Sequence, residues 1–475
     1  MATDLSVTTA PAAWSSDGRT FTCTTELVEA PAPGDVVVLE PSPGQQLLAQ
    51  VRASSPLPGG EGRFGGGGQA VQASGVVLGP LDASGGPTSA PVQPFASAVL
   101  RPASAPHLEA LQRARGAGLE VGSWHSGDVE VPARLRAGGF NRHTFLCGQS
   151  GSGKTYSLGV VLEQLLLHTA LRMVVLDPNG DFVRLGQVRP GAPGEASERL
   201  AANDIRVLRP EAGGGDPLRL RFRTMPRAAQ AAILRLDPMH DRAEYNLFLH
   251  LDESYYEKGL GPMVTRLRAG EDDERAMAQR IENLGLLDWE AWAGELTSAA
   301  EVVAGGARAT VMDLGGFRDP LEPQAVALDV VESLWAQRES RTPTLIVVDE
   351  AHNLCAAQPR GPLQTALTER LVQIAAEGRK YGLWLLLSTQ RPSKIHPQVL
   401  TQCDNLMLMR MNSPGDLAEL GAVFGFAPEQ MLRSSPFFAQ GEALFAGGFV
   451  PAPMLARMGA RITQEGGSDV AVPLP

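Results

Sequence analysis

The chain has 475 residues, 43% of them hydrophobic, and a formal net charge of −11. That length exceeds one ordinary domain and allows two or three, and the acidic balance argues against a protein that coats nucleic acid with its whole surface while leaving room for a locally basic channel. No apolar run is long enough to span a bilayer, and the opening MATDLSVTTAPAAWSSDGRT lacks the basic and apolar parts of a secretory signal, so a cytoplasmic protein with no membrane anchor is expected.

The cysteines, Cys23, Cys147, Cys355 and Cys403, lie far apart with no CxxC pair, which suggests buried thiols rather than a zinc site or a disulfide framework. Basic charge is carried almost wholly by arginine, the lysines being Lys154, Lys258, Lys380 and Lys394.

Residues 1–105 hold short β-branched runs, GDVVVLE, QQLLAQVRA and ASGVVLG, separated by the turn-rich GGEGRFGGGG and DASGGPTSAP. This pattern predicts a small β-barrel or a sandwich with flexible rim loops. From about residue 144 the apolar runs TFLCG, RMVVLD, ATVMDLGG, TLIVVDEA, LWLLLSTQ, NLMLMRM and EALFAGGF alternate with helical segments. Uninterrupted apolar strands separated by helices imply a parallel sheet covered on both faces, so the fold class is α/β, with a RecA-like core over 106–205 and 303–453. Residues 206–302, with RAAQAAILRL and RAMAQRIENL, read as a helical insertion. The segment 454–475 ends in TQEGGSDVAVPLP, too polar and proline-rich to order by itself, though able to dock on a neighbour.

Gly148, Gln149, Ser150, Gly151, Ser152, Gly153, Lys154 and Thr155 satisfy GxxxxGK[ST] between an apolar strand and the helical run YSLGVVLEQLLLHTA. Glycines let backbone N–H groups curl around phosphates at a helix N-terminus. Lys154 is then expected on the β- and γ-phosphates of ATP, and the Thr155 hydroxyl on Mg²⁺. TLIVVDEAHN ends a buried strand in two acids: Asp349 is the expected metal ligand and Glu350 the base that polarises water. Gln390, at the end of LWLLLSTQ, suits a neutral sensor that donates to the γ-phosphate without adding charge.

Arg379, with Lys380 beside it as a further nucleotide contact, follows a helical run ending at Gly378. Its guanidinium suits a finger supplied to a neighbouring subunit's phosphates, and equally suits the partial negative charge of its own helix end. Arg142 precedes the P-loop strand and is a candidate for phosphates of its own or an adjacent site. Asp177 ends the second strand, where it could support the magnesium, and a solvated arginine and a turn-forming Asp-Pro are the plainer readings of these two. Arg219, Arg221 and Arg223 form a basic cluster whose alternation fits pore lining or a half-buried strand.

The segments RHTFLCGQSGSGKT, VVLDPNGDF, LIVVDEAHNL, AAEGRKYGLWLLLSTQRPSKI and GEALFAGGFVPAP together resemble the HerA family within the HerA/FtsK superfamily of P-loop NTPases. The resemblance spans most of residues 140–453. It implies an additional-strand, catalytic-glutamate ATPase that forms a hexameric ring around double-stranded DNA and pumps it. It also implies Arg379 as the intersubunit arginine, Gln390 as the sensor, and a nuclease or other effector protein as partner in DNA-end processing or phage defence. Gln149 stands where many relatives carry another residue, at a loop position that acts mainly through backbone.

Two function classes follow. One is an ATP-driven motor on double-stranded DNA. The other is a nucleotide-gated scaffold whose ring recruits and regulates an effector, which the acidic balance and the lack of a nuclease-like metal cluster in the sequence also suit. A conjugative coupling or cell-division pump is the minor alternative, since such relatives are normally membrane-anchored.

Overall fold

The computed structural model describes residues 12–57, 70–255 and 259–467. The glycine-rich stretch at 59–68 and residues 468–475 of the expected loose tail lie outside them. The described chain falls into two compact units, one within Met1–Phe140, Gly148–Lys154 and Asp404–Ala460, the other within Asn141–Cys147, Thr155–Cys403 and Arg461–Pro475.

In the first unit, β1 (Ala12–Ser15), β2 (Thr20–Glu26), β3 (Val36–Ser42), β4 (Gln45–Pro56), β5 (Ala70–Pro80) and β6 (Phe95–Pro102) close into a barrel in the order β1-β2-β5-β4-β3-β6. Alternation along the strands sends Phe21, Cys23, Val37, Leu39, Leu47, Ala49 and Val51 inward. Of the two β architectures the sequence allowed, closure selects the barrel and leaves no open edge. The same unit holds β7 (Leu119–Ser126) and β8 (Val129–Leu135), a hairpin that extends β16 (Cys403–Leu408), β17 (Glu442–Gly447) and β18 (Met454–Met458) in the order β16-β17-β18-β7-β8.

Strands β16 and β17 correct one expectation. Both were assigned to a parallel sheet, yet they pair antiparallel, Asn405 opposite Gly447 and Leu408 opposite Leu444. An apolar run reports burial on both faces, and direction is decided by the connection. Here that connection is two short helices, Pro414–Val423 and Glu429–Arg433, rather than a single crossover helix.

The second unit is built on seven strands: β9 (His143–Cys147), β10 (Arg172–Asp177), β11 (Ile205–Arg209), β12 (Asp216–Pro217), β13 (Ala309–Asp313), β14 (Thr344–Val348) and β15 (Leu383–Thr389). They lie in the order β12-β11-β13-β10-β14-β15-β9, every pair parallel. Strand β14, which leads to Asp349 and Glu350, is thus separated from β9, which leads to the P-loop, by β15. That intervening strand is the additional strand of the fold class. Apolar side chains fill the sheet, all of Leu345, Ile346, Val347 and Val348 being fully buried. Polar chemistry is therefore confined to the strand ends.

The stretch 206–302 is only partly a helical insertion. Its first residues complete β11 and β12 on the sheet, with β11 only partly buried between β12 and β13. The helices Arg227–Ile233, Arg242–His250, Leu260–Arg268, Asp272–Asn283 and Ala299–Ala304 follow. The arginine cluster is structural at two of its positions: Arg219 is buried against Glu211 at 2.8 Å, and Arg221 holds Glu301 at 3.1 Å together with the carbonyls of Gly294 and Leu296. Those guanidinium groups tie the insertion together.

Asp329, buried in the helix Glu322–Ala336, accepts the backbone N–H of Arg221, while its Oδ2 meets no donor among the described residues. Burial pushes its carboxyl up to about 7. The folded protein therefore keeps this proton where the unfolded chain has lost it, so this group's contribution to stability falls as pH rises from about 4 to about 7 and is flat above. Asp329→Asn keeps the acceptor for Arg221 without the ionisation. Thermal unfolding at pH 5 and pH 8 should show the variant gaining on the parent at pH 8, by a few degrees in Tm, with the gain shrinking at pH 5.

Candidate functional site

In the first unit, Gly148–Lys154 is folded on itself and braced from behind. Ser152 N–H donates to the Gln149 carbonyl at 3.2 Å, Gln149 N–H to the Arg410 carbonyl at 2.9 Å, and Gly441 N–H to the Ser152 carbonyl at 2.9 Å. Gly151 and Gly153 sit at φ 73° and 91°, which a side chain would resist. A Cβ at Gly153 would stand 3.3 Å from Gly441 N. Arg410 also reaches the Gly151 carbonyl at 3.3 Å. Gln149 acts through its backbone, as expected of a variable loop position, and Ser152 is fully buried. Lys154 is buried and opens the helix Lys154–His168.

Thr155, next in the chain, belongs to the second unit. There its Oγ1 donates to Asp181 Oδ2 at 3.5 Å. Asp177, Asp181 and Asp349 bring one carboxylate oxygen each to within 4.8 Å of one another, at the carboxyl ends of β10 and β14. Asp177 and Asp349 are fully buried. Asp177 accepts the backbone N–H groups of Asp181 (3.0 Å) and Phe182 (2.7 Å), which curls the Pro178–Gly180 turn so that Asp181 returns to the strand end. Burial pushes Asp177 up to about 7; the two N–H bonds oppose this, and the neighbouring charges of Asp349 and Asp181 add to it. Oxygen donors only, one hydroxyl and three carboxylates, make a set that fits a hard divalent cation such as Mg²⁺. Asp181 was quoted in VVLDPNGDF but not singled out; the signal was its four-residue spacing from Asp177, which makes an Asx-type turn.

Glu350 follows β14 in the left-handed conformation, φ 41° and ψ 48°. For a non-glycine residue this is costly backbone, held here by its surroundings. The 3-10 turn Ala351–Asn353 comes next and brings His352 back over the carboxylate: Nδ1 lies 3.3 Å from Glu350 Oε2. Gln390 Nε2, one residue past β15, donates to Glu350 Oε1 at 3.3 Å. The sequence placed Glu350 and Gln390 in one site, and the structure brings them into contact.

Three cations are placed differently from Lys154. Arg379 and Lys380, both exposed, lie in the 3-10 turn Gly378–Tyr381 just before β15, whereas Gln390 stands just after it. The seven residues of β15 separate the two ends by roughly 20 Å. Arg142 likewise precedes β9, its Nη1 donating to the Asn141 carbonyl and Oδ1 at 2.9 Å, and the P-loop leaves that strand's other end. The register of β9 on β15, Thr144 beside Leu386, puts Arg142 and Arg379 on one edge. Contact with the phosphates of its own P-loop is therefore withdrawn for Arg142 and for Lys380, because a parallel sheet points these residues to the edge opposite Asp349, Glu350 and Gln390.

A family model described as the central domain of the helicase HerA matches residues 119–261. Over 378 residues the chain is 22% identical to the DNA double-strand break repair helicase HerA of Sulfurisphaera tokodaii, covering 74% of this chain and 71% of that protein. The chain is similar to the HerA family of P-loop ATPases. A probable helicase of Methanocaldococcus jannaschii is 32% identical over 127 residues, which is 27% of this chain and 24% of that protein. Among solved structures, VirB4 of Thermoanaerobacter pseudethanolicus aligns at a TM-score of 0.51 and 14% identity over 73% of this chain and 97% of that one, a likeness of fold. No helix among the described residues is long and apolar enough to cross a membrane.

The site is also supported from the C-terminal segment, which the sequence left loose. Arg461 and Glu163, each 1% exposed, form a buried ion pair at 3.3 Å within the second unit. Glu163 also accepts the backbone N–H groups of Ile462 (2.7 Å) and Thr463 (2.8 Å), and Tyr156 Oη accepts that of Arg461 at 2.8 Å. Gly159 makes room: a Cβ there would lie 2.5 Å from Arg461 Cζ. Three residues on, Gly466 N–H donates to the Asp181 carbonyl at 3.0 Å. The strap thus runs from the back of the P-loop helix to the acidic turn. What the composition of TQEGGSDVAVPLP hid was one buried arginine upstream of it. Arg461→Ala strands a buried carboxylate and should cost about 3 to 5 kcal/mol in urea unfolding. A loss below about 1 kcal/mol would show the pair to be solvent-screened.

Proposed function

We propose that this chain is an ATP-driven motor on double-stranded DNA that assembles as a ring, six subunits by family resemblance, and hydrolyses ATP between neighbours. The observation that carries the reading is the division of charge across the parallel sheet: acids, base and sensor on one edge, Arg379 and Arg142 on the other. A subunit with that layout is incomplete for phosphoryl transfer by itself and complete when the opposite edge of a neighbour meets it.

In this reading the backbone N–H groups of Gly148–Lys154 and the Lys154 ammonium bind the β- and γ-phosphates of ATP. Thr155 and Asp349 hold Mg²⁺, with Asp177 and Asp181 supporting them. The cation neutralises charge on the phosphate oxygens. Glu350 Oε2 or Oε1 takes the proton of the attacking water, whose oxygen forms the new bond to the γ-phosphorus as the bond to the β-γ bridging oxygen breaks. Gln390 donates to the γ-phosphate beside it. Arg379 of one subunit stabilises the transition-state charge on its neighbour's ATP, with Lys380 and Arg142 adding positive potential on that edge. The relatives named as double-strand break repair helicases, together with the probable helicase, support DNA as the track and DNA-end processing as the setting. A nuclease or other effector protein completes the assembly, in end processing or in phage defence, and the site is cytoplasmic.

Lys154→Ala and Glu350→Gln should each lower DNA-stimulated ATP turnover at least about a hundredfold, the first through loss of nucleotide binding and the second with binding retained. ATPase rates that ignore duplex DNA in the assembled protein would refute the motor, and full effector activity in Glu350→Gln would favour a scaffold. Arg379→Ala should lower kcat about a thousandfold. In mixtures of Arg379→Ala with Lys154→Ala, activity should reappear, because each active interface takes its finger from one variant and its P-loop from the other. Absence of this complementation in mixed oligomers of verified composition would place the arginine outside the neighbour's site.

A further inference from the structure

His352 is not among the residues that the motif reading assigns, yet it is built into the site. Its side chain is 15% exposed, and Nδ1 stands 3.0 Å from Thr389 Oγ1 and 3.3 Å from Glu350 Oε2. Thr389 is fully buried at the end of β15, and its Oγ1 also accepts the Arg391 N–H at 3.0 Å. A carboxylate oxygen and a hydroxyl oxygen both face the same ring nitrogen. A bare lone pair there would be repelled by the carboxylate, so the arrangement selects the tautomer with hydrogen on Nδ1, donating to Thr389 Oγ1 and presenting the positive edge of the ring to the carboxylate. Glu350 is then flanked on each oxygen: Gln390 Nε2 donates to Oε1, and His352 Nδ1 stands 3.3 Å from Oε2 as a close electrostatic contact outside hydrogen-bond geometry.

The two contacts are not equivalent. Gln390 is also the residue placed to meet the γ-phosphate, so its hold on Glu350 varies with nucleotide. His352 has no such second duty; Thr389, a neighbour of Gln390 in the chain, fixes its ring. A base that occupies left-handed backbone needs its carboxylate direction set by something other than its own rotamer preference.

We propose that His352 is a positioning residue for hydrolysis: with Thr389 as its anchor, it forms the constant arm of a two-armed clasp on Glu350, whose other arm, Gln390, responds to nucleotide. This rests on the assignment of Glu350 as the base. It predicts that the clasp aims the carboxylate at water without contributing to ATP affinity, and that movement of the β15 end is felt at Glu350 through Thr389.

The test is steady-state ATP hydrolysis with duplex DNA by the full chain. His352→Ala should lower kcat about tenfold to a hundredfold with KM for ATP within about twofold, the scale on which misaiming a reacting group acts. His352→Asn, which can present an N–H near the position of Nδ1, should recover most of that loss. Thr389→Val should shift kcat in the same direction and Thr389→Ser should not. The decisive variant is the double: because His352 acts through Glu350, adding His352→Ala to Glu350→Gln should cost nothing further. The proposal is overturned if His352→Ala keeps parental kcat, if KM rises in step with the fall in kcat, if Asn does not rescue a variant that melts at the parental temperature, or if the double variant is slower than Glu350→Gln by the factor seen in the single. Lys154→Ala and Glu350→Gln separate the two levels. If both are inactive and His352→Ala is not impaired, only the clasp fails; if the parent hydrolyses no ATP, or Glu350→Gln turns over normally, the base assignment falls and the clasp with it.

Discussion

Asp177, Asp181 and Asp349 each bring an oxygen to within 4.8 Å of the others at the end of an apolar sheet. Such oxygens repel one another and have surrendered much of their water, so each is costly unless a proton or a cation compensates. The raised proton affinity of Asp177 expresses that cost in the absence of metal. A divalent cation would resolve it more fully, with the hydroxyl of Thr155 as a further oxygen donor at the start of the P-loop helix. The same repulsion explains why the chain spends backbone N–H groups on Asp177 and a strap on the turn that ends at Asp181. A site that must be empty between turnovers has to be held open by groups other than its ligand.

Much of this was legible in the sequence, and the reasons differ by element. The P-loop is a backbone motif, so spacing alone identifies it. Asp349, Glu350 and Gln390 follow strands so uniformly apolar that their ends are easy to locate, and a parallel sheet puts such ends on one edge. Strand direction was not legible for β16 and β17, because burial on both faces leaves no trace of polarity. Strands β11 and β12 at the end of the sheet were absorbed into the insertion for the opposite reason: half-exposed IRVLR has little apolar signal. Arg142 was left open between its own and an adjacent site, because nearness along the chain does not fix nearness in space. One strand length is enough to carry a residue to the wrong edge.

The missed residues share a cause. Asp181, His352, Thr389 and Arg461 owe their positions to a turn or to a contact between distant segments, and none belongs to a motif with fixed spacing. His352 needed the left-handed turn at Glu350, which the sequence does not announce at a residue other than glycine. Arg461 needed Gly159, and a glycine inside a helical run otherwise reads only as a mild destabiliser. The acidic composition, by contrast, misled little: many arginines are spent internally, as Arg219, Arg221 and Arg461 are, so net charge says little about where a track of phosphates could be gripped.

The strap gives the end of the chain an unusual standing. Gly466 hangs on the carbonyl of Asp181, so whatever is attached beyond it, an affinity tag, a fluorophore or a tether to a surface, has a short mechanical lever onto the turn that borders the nucleotide. Labels meant to be silent belong elsewhere on this molecule, and a probe placed there on purpose would report on the state of the Asp181 turn.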